Sequence, residues 1–149
     1  MRGLSTTVLV SIIWVCQLSG REIWKINWSF DDGIYDGILC LDKNNKGIMR
    51  LEVKCNKPGE QYSYHVIQRI VASPVPGHAA RKMEGKNAVI TGNAPGGYSE
   101  DTLIFYDNGE THMCDVQGCF SDKVSRELVP PEKHEEILKK YDLPFVKEE

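Results

Sequence analysis

The sequence has no surplus of positive charge. Its 18 lysine and arginine residues face 21 aspartate and glutamate residues, for a formal net charge of −3. Such a balance creates no global field for a polyphosphate, so nucleic-acid binding gains no support from overall charge. Low-complexity segments and internal repeats are also missing. With 41% hydrophobic and 26% charged residues over 149 positions, collagen-like and wholly disordered chains are excluded, and one folded domain is expected. After residue 20 no run is apolar enough to span a bilayer, which needs about 20 such residues. The glycine-rich stretch Asn93 to Tyr98 (NAPGGY) lacks the Lys-Ser/Thr of a phosphate loop, and no helical pattern follows it. It reads as a wide connection between strands.

Residues 1–20 (MRGLSTTVLVSIIWVCQLSG) follow the pattern of a secretory signal peptide. Arg2 gives the positive start, Val8 to Cys16 a short apolar core, and Ser19-Gly20 a small-residue end. Export is therefore expected. Cys16 would leave with the signal, and Cys40, Cys55, Cys114 and Cys119 would remain. An even count in an exported chain implies two disulfides. No pair has CxxC spacing, so neither zinc nor any other metal or cofactor is expected. Asn27-Trp28-Ser29 is a glycosylation sequon.

The segment Ile48 to Cys55 alternates cleanly. Met49, Leu51, Val53 and Cys55 share one face, and Arg50, Glu52 and Lys54 the other, as in a half-buried strand. If it pairs with Ile38–Leu41 about the polar turn DKNNKG, Cys40 lies opposite roughly Met49. Cys55 is then about 20 Å further along at ~3.3 Å per residue. A disulfide needs Cα atoms within about 7 Å, so that pairing is excluded. Cys40 and Cys55 are then each expected to bond with Cys114 or Cys119, closing long loops worth roughly 3–4 kcal/mol apiece. A helix over 36–44 would remove this exclusion.

Further strands are expected over 23–30, 62–72, 88–91, 102–106 and 111–116, about six in all, with a turn at Asp107-Asn108-Gly109. Residues 73–86 read as a loop holding two prolines and a basic stretch at His78, Arg81 and Lys82. Residues 21–128 form the β-rich domain, and 129–149 a C-terminal helix and tail. Pro130-Pro131 opens that helix, His134, Ile137, Leu138 and Tyr141 share its face, and Pro144 ends it. A helix this short persists only when docked.

The residues offer few reaction centres. Phosphodiester cleavage would want a histidine, a carboxylate and a cation, and His65, Glu84 and Arg81 are the candidates. Their spacing does not demand a shared site. Trp24, Trp28, Tyr62, Tyr64, Tyr98 and Tyr106 could stack on bases, though strand aromatics more often pair within a core.

The segment GNAPGGYSEDTLIFYDNGETHMCDV resembles a stretch of the secreted fungal guanyl-specific ribonucleases: glycine-rich loop, short strand, Asn-Gly turn, return strand. YSYHVIQRIV resembles that family's aromatic-rich catalytic strand. With a signal segment, the chain over 34–120 is similar to the ribonuclease-like secreted effectors of plant-pathogenic fungi. Their Tyr-x-Cys start is not reproduced, because Tyr35 and Cys40 stand too far apart. The resemblance implies loss of the catalytic set. Thr102 stands where the family has arginine, Val116 to Gly118 where it has its acid histidine, and His65 or Val66 where it has glutamate. The tally of strands and one helix gives an α+β, mainly β fold, and the resemblance implies a curved antiparallel sheet with one or two short helices. The leading expectation is a monomeric, non-catalytic virulence effector that binds a host protein or RNA. An active ribonuclease and a small-molecule carrier built on a β-barrel are the rivals.

Overall fold

Strand β1 (Glu22–Phe30) turns at Asp31-Asp32 into β2 (Gly33–Leu41). The chain then meanders through β3 (Lys46–Lys57), β4 (Glu60–Pro74), β5 (Ala80–Gly92), β6 (Thr102–Tyr106), β7 (Thr111–Asp115) and β8 (Gly118–Phe120). Each pairs antiparallel with the strand before it. The last strand, β9 (Val124–Leu128), breaks the sequence and pairs with β1, placing Trp28 opposite Val124. The sheet order is β8-β7-β6-β5-β4-β3-β2-β1-β9. The computed structural model describes residues 22–92 and 98–141. The expected signal segment with Cys16, most of the glycine-rich loop, Pro144 and the charged tail lie outside the described residues.

Local chemistry sets the turns. Asp42 Oδ1 accepts hydrogen bonds from the Asn44 and Lys46 amides, and Asn45 takes a φ of 64°. Asparagine tolerates that left-handed geometry, so DKNNKG reverses the chain. Asn108 Oδ1 accepts from the Glu110 amide, and Gly109 takes a φ of 97°. The sheet curls until β9 approaches the β6–β7 turn. There Arg126 donates to the carbonyls of Tyr106 and Glu110 and to the Thr111 hydroxyl. A side chain, not a backbone ladder, bridges the seam of this near-barrel.

Period-two alternation puts one face of every strand inside. Ile26, Trp28, Leu39, Leu41, Met49, Leu51, Val66, Ile70, Met83 and Leu103 form the interior. Each such side chain stabilises the fold by roughly 1.5–3 kcal/mol. On the outer face, Ile23, Ile38 and Cys40 receive a 3-10 turn (Pro131–Lys133) and helix α1 (His134–Lys140) through Val129, Ile137 and Tyr141. A helix of 7 residues is marginal on its own, and this docking holds it. His134 Nε2 donates to the Val129 carbonyl at 3.0 Å, and Tyr141 donates to Asp36 at 3.1 Å. Burial first, and then the Asp36 carboxylate, push the Tyr141 hydroxyl up to about 12. Among the described residues no helix is long and apolar enough to cross a membrane.

Three expectations are corrected. Among the described residues nine strands replace about six, because β8 and β9 are short and polar and β5 begins at Ala80. Residues 80–86 are strand, not loop: Arg81, Met83 and Gly85 face inward while Lys82 and Glu84 face out. Pro74 is the last residue of β4 and Pro76 lies in the turn before Ala80, so neither interrupts β5. The cross-domain disulfides are also absent. Cys114 and Cys119 bond to each other across the β7–β8 hairpin, where they are register partners 4.0 Å apart at Cα. Cys40 and Cys55 remain thiols. Cys40 lies opposite Ile48 and Cys55 opposite Gly33, so exclusion of a Cys40–Cys55 bond holds, and 36–44 is not helical. What failed was the inference that each must then seek a distant partner.

Candidate functional site

The three residues weighed for catalysis do not meet. His65 points outward from β4, 3.4 Å from Glu52, with both side chains about two-fifths exposed. Glu84 shares that outer face but lies opposite Val71, six residues or about 20 Å along the strand. Its carboxylate is 3.8 Å from Lys82. Arg81 points the other way, into the barrel, and grips Glu22 at 3.0 and 2.6 Å. No cleft joins an imidazole, a carboxylate and a guanidinium from this set. Asn27 lies on the exposed outer face of β1, 3.4 Å from Asp36. Trp28 and Tyr64 are buried, and Trp24 packs on Phe105 at 5.2 Å, so these rings form core rather than an open stacking platform. Among the described residues no group of three or more His, Cys, Asp or Glu side chains could hold a metal.

Chemistry gathers instead at the end of the barrel where β2 begins and β5 ends. Trp28 and Tyr35 stack at 5.1 Å and 8° between planes. Tyr98, just before β6, stands 6.3 Å from Tyr35 and 6.1 Å from Tyr64. Phe30 and Phe120 stack at 5.3 Å on the rim. Under these rings lies Asp101, 2% exposed, which accepts a 2.7 Å hydrogen bond from the Tyr98 hydroxyl.

The second polar layer is amide. Gln68 is fully buried on the inward face of β4 and donates to Asn87 Oδ1 at 2.8 Å. Asn87 donates in turn to the Tyr98 carbonyl at 2.8 Å. Its own backbone amide is capped by Glu100 at 2.8 Å. A bulge between Ile67 and Gln68 lets Asn87, rather than Ala88, face Gln68. Gln68 Oε1 has no donor. Orphaned buried acceptors are rare, and each asks for an explanation.

Electrostatics follow from burial. Desolvation raises the Asp101 carboxyl to about 7; the Tyr98 hydroxyl and Gln68 amide pull it down, and the Asp115 carboxylate pushes it up. Tyr98 is raised far above the usual phenol range by burial and by Asp101. Tyr35 is raised by burial and then by Asp101. No lysine or arginine pairs with Asp101 among the described residues. A perturbed buried acid, bonded by Tyr98 and Gln68 but facing no cation, is the strongest site signal among the described residues.

Sequence reasoning missed Asp101, Gln68, Asn87 and Tyr35. One signal was there. Tyr64, Val66, Gln68, Ile70 and Ala72 form the inward set of β4, and Gln68 is the lone amide in it. No family model, curated protein or solved structure matches the chain.

Proposed function

We propose that the protein is a non-catalytic binding protein whose near-barrel takes a small, largely apolar ligand at its ring-lined end. The observation that carries this reading is the series Phe30–Phe120, Trp28–Tyr35 and Tyr64–Tyr98 set around buried Asp101 and the donorless Gln68 acceptor. Apolar walls with a few convergent polar groups are the usual composition of a ligand site, and barrels of about eight strands are just wide enough either to fill with side chains or to hold one small ligand. Export supplies the setting. The expectation rests on the first 20 residues, and the Cys114–Cys119 bond suits an oxidising compartment.

Native mass spectrometry of protein purified without denaturant tests this reading. A discrete small-molecule mass, lost on denaturation and reduced in Tyr35→Ala, is expected. A bare protein mass, with no thermal shift from a panel of small amphiphiles, overturns it. That outcome favours the effector reading, in which an exported scaffold docks a host protein by its exterior; exposed Phe30, Ile34 and Val116 at the rim suit such a contact. A ribonuclease-like character for the scaffold is a separate proposal, supported by the curved antiparallel sheet and single short helix. Incubation with total RNA tests its catalytic form, and degradation lost in His65→Ala would establish it.

A further inference from the structure

We infer that the ligand of the ring-lined end is a small protonated amine, held by Asp101 within the tyrosine cluster. This rests on the ligand-binding reading and adds the ligand's charge. Three facts converge. The charged side chains acting on Asp101 and Tyr35 are carboxylates, Asp115 and Asp31 among them, and no lysine or arginine pairs with Asp101 among the described residues. The Tyr98 ring stands 6.3 Å from Tyr35 and 6.1 Å from Tyr64, and its hydroxyl bonds the carboxylate. Gln68 brings a fully buried oxygen with no donor into the same interior layer.

Each fact answers to one feature of an ammonium group. A buried carboxylate without a counter-charge is costly, and a cation of matching size offsets that cost. Ring faces attract a cation electrostatically, most strongly when water is excluded. An ammonium carries N–H donors, which Asp101 and Gln68 can accept, and no acceptor that would repel them. A neutral or anionic ligand of the same shape would leave the carboxylate uncompensated or add a like charge beside it. An alcohol can donate one hydrogen bond but brings no charge.

The test uses the whole protein and two probes that share an apolar body, 2-phenylethylammonium and 2-phenylethanol. Quenching of tryptophan fluorescence reports binding through Trp28, which stacks on Tyr35. The ammonium is expected to bind at least tenfold tighter than the alcohol. Asp101→Asn is expected to erase that advantage, and His65→Ala on the outer face should change the binding of neither probe. Equal binding of both probes, or tighter binding of the alcohol, overturns the amine inference and leaves the ligand reading standing. Binding of neither overturns both. Should Asp101→Asn fail to fold, the comparison of the two probes on the unaltered protein still decides.

Discussion

Arg81 on β5 reaches across the barrel interior and holds Glu22 on β1 through two hydrogen bonds, at 3.0 and 2.6 Å. The same carboxylate accepts from Trp24 Nε1 at 2.9 Å. Trp24 packs on Phe105, and Arg126 lies over both rings, 5.1 Å from the first centroid and 4.5 Å from the second. This end of the barrel is thus closed by paired charge, whereas at the other end the acid faces no cation among the described residues.

The pair should be worth about 1 kcal/mol, because both side chains are one-third exposed and solvent screens them. Burial raises the Glu22 carboxyl, but the Arg81 and Trp24 bonds outweigh it and hold the group below its ordinary 4.5. A lowered carboxyl contributes stability above that ordinary value and loses it as pH falls through the folded one. Arg81→Met should therefore lower the urea midpoint near pH 7, and by progressively less as pH falls below the ordinary carboxyl value. A loss that does not change with pH would show that Arg81 acts by packing alone.

Asp101 gives the opposite sign. Its carboxyl is raised from 3.8 to about 7, chiefly by burial. Between those values the unfolded chain has released a proton that the folded chain still holds. Stability should fall as pH rises through this window, by up to about 1.4 kcal/mol per unit, and level off above it. Asp101→Asn should flatten the decline. Unfolding free energies measured from pH 4 to pH 8 check this, and parallel curves for the two proteins would remove Asp101 as the cause.

How far the sequence carries depends on where each residue's partner lies. The alternation Met49, Leu51, Val53 is local, and it yields β3 with its correct inward face. The face of α1 and the Asn108-Gly109 turn are equally local. Arg81 is different. An inward arginine looks like loop composition until Glu22, 59 residues away, is seen to neutralise it. Arg126 in β9 hides for the same reason, since its acceptors lie on the β6–β7 turn. The candidate site comes from β2, β4, β5 and the approach to β6, and only the closed sheet brings those together. Its one local trace is an amide at position 68 among apolar neighbours.

The Cys114–Cys119 bond closes a loop with a sequence separation of only 5, so the chain-entropy model assigns it roughly 2 kcal/mol. That is less than the cross-domain bridges first expected would have given. Mild reduction should lower the melting temperature by several degrees and leave the β-sheet circular dichroism intact. Thiol titration supplies the connectivity. Of the cysteines beyond residue 20, Cys55 should react in the native protein and buried Cys40 only after unfolding. Release of four thiols only on reduction, with none before it, would restore the two-bridge scheme.

Gly85 makes room for Gln68. A Cβ at this position would sit 2.1 Å from Gln68 Oε1 and 3.2 Å from the Asp101 carbonyl oxygen. The Gly85 amide also donates to that carbonyl at 2.9 Å, so β5 is pinned where the crowding occurs. Gly85→Ala should cost roughly 1–3 kcal/mol, because Gln68 must either leave its bond to Asn87 or push the strand aside. The backbone at 85 is not left-handed, so the cost is steric. In a Gln68→Ala background the same change should cost under about 1 kcal/mol, since the oxygen it strikes is gone. The double-mutant cycle therefore carries a coupling of at least ~1 kcal/mol. An additive cycle would mean that Gln68 does not occupy the space above Gly85, and the buried acceptor beside Asp101 would lose its place in the ligand site.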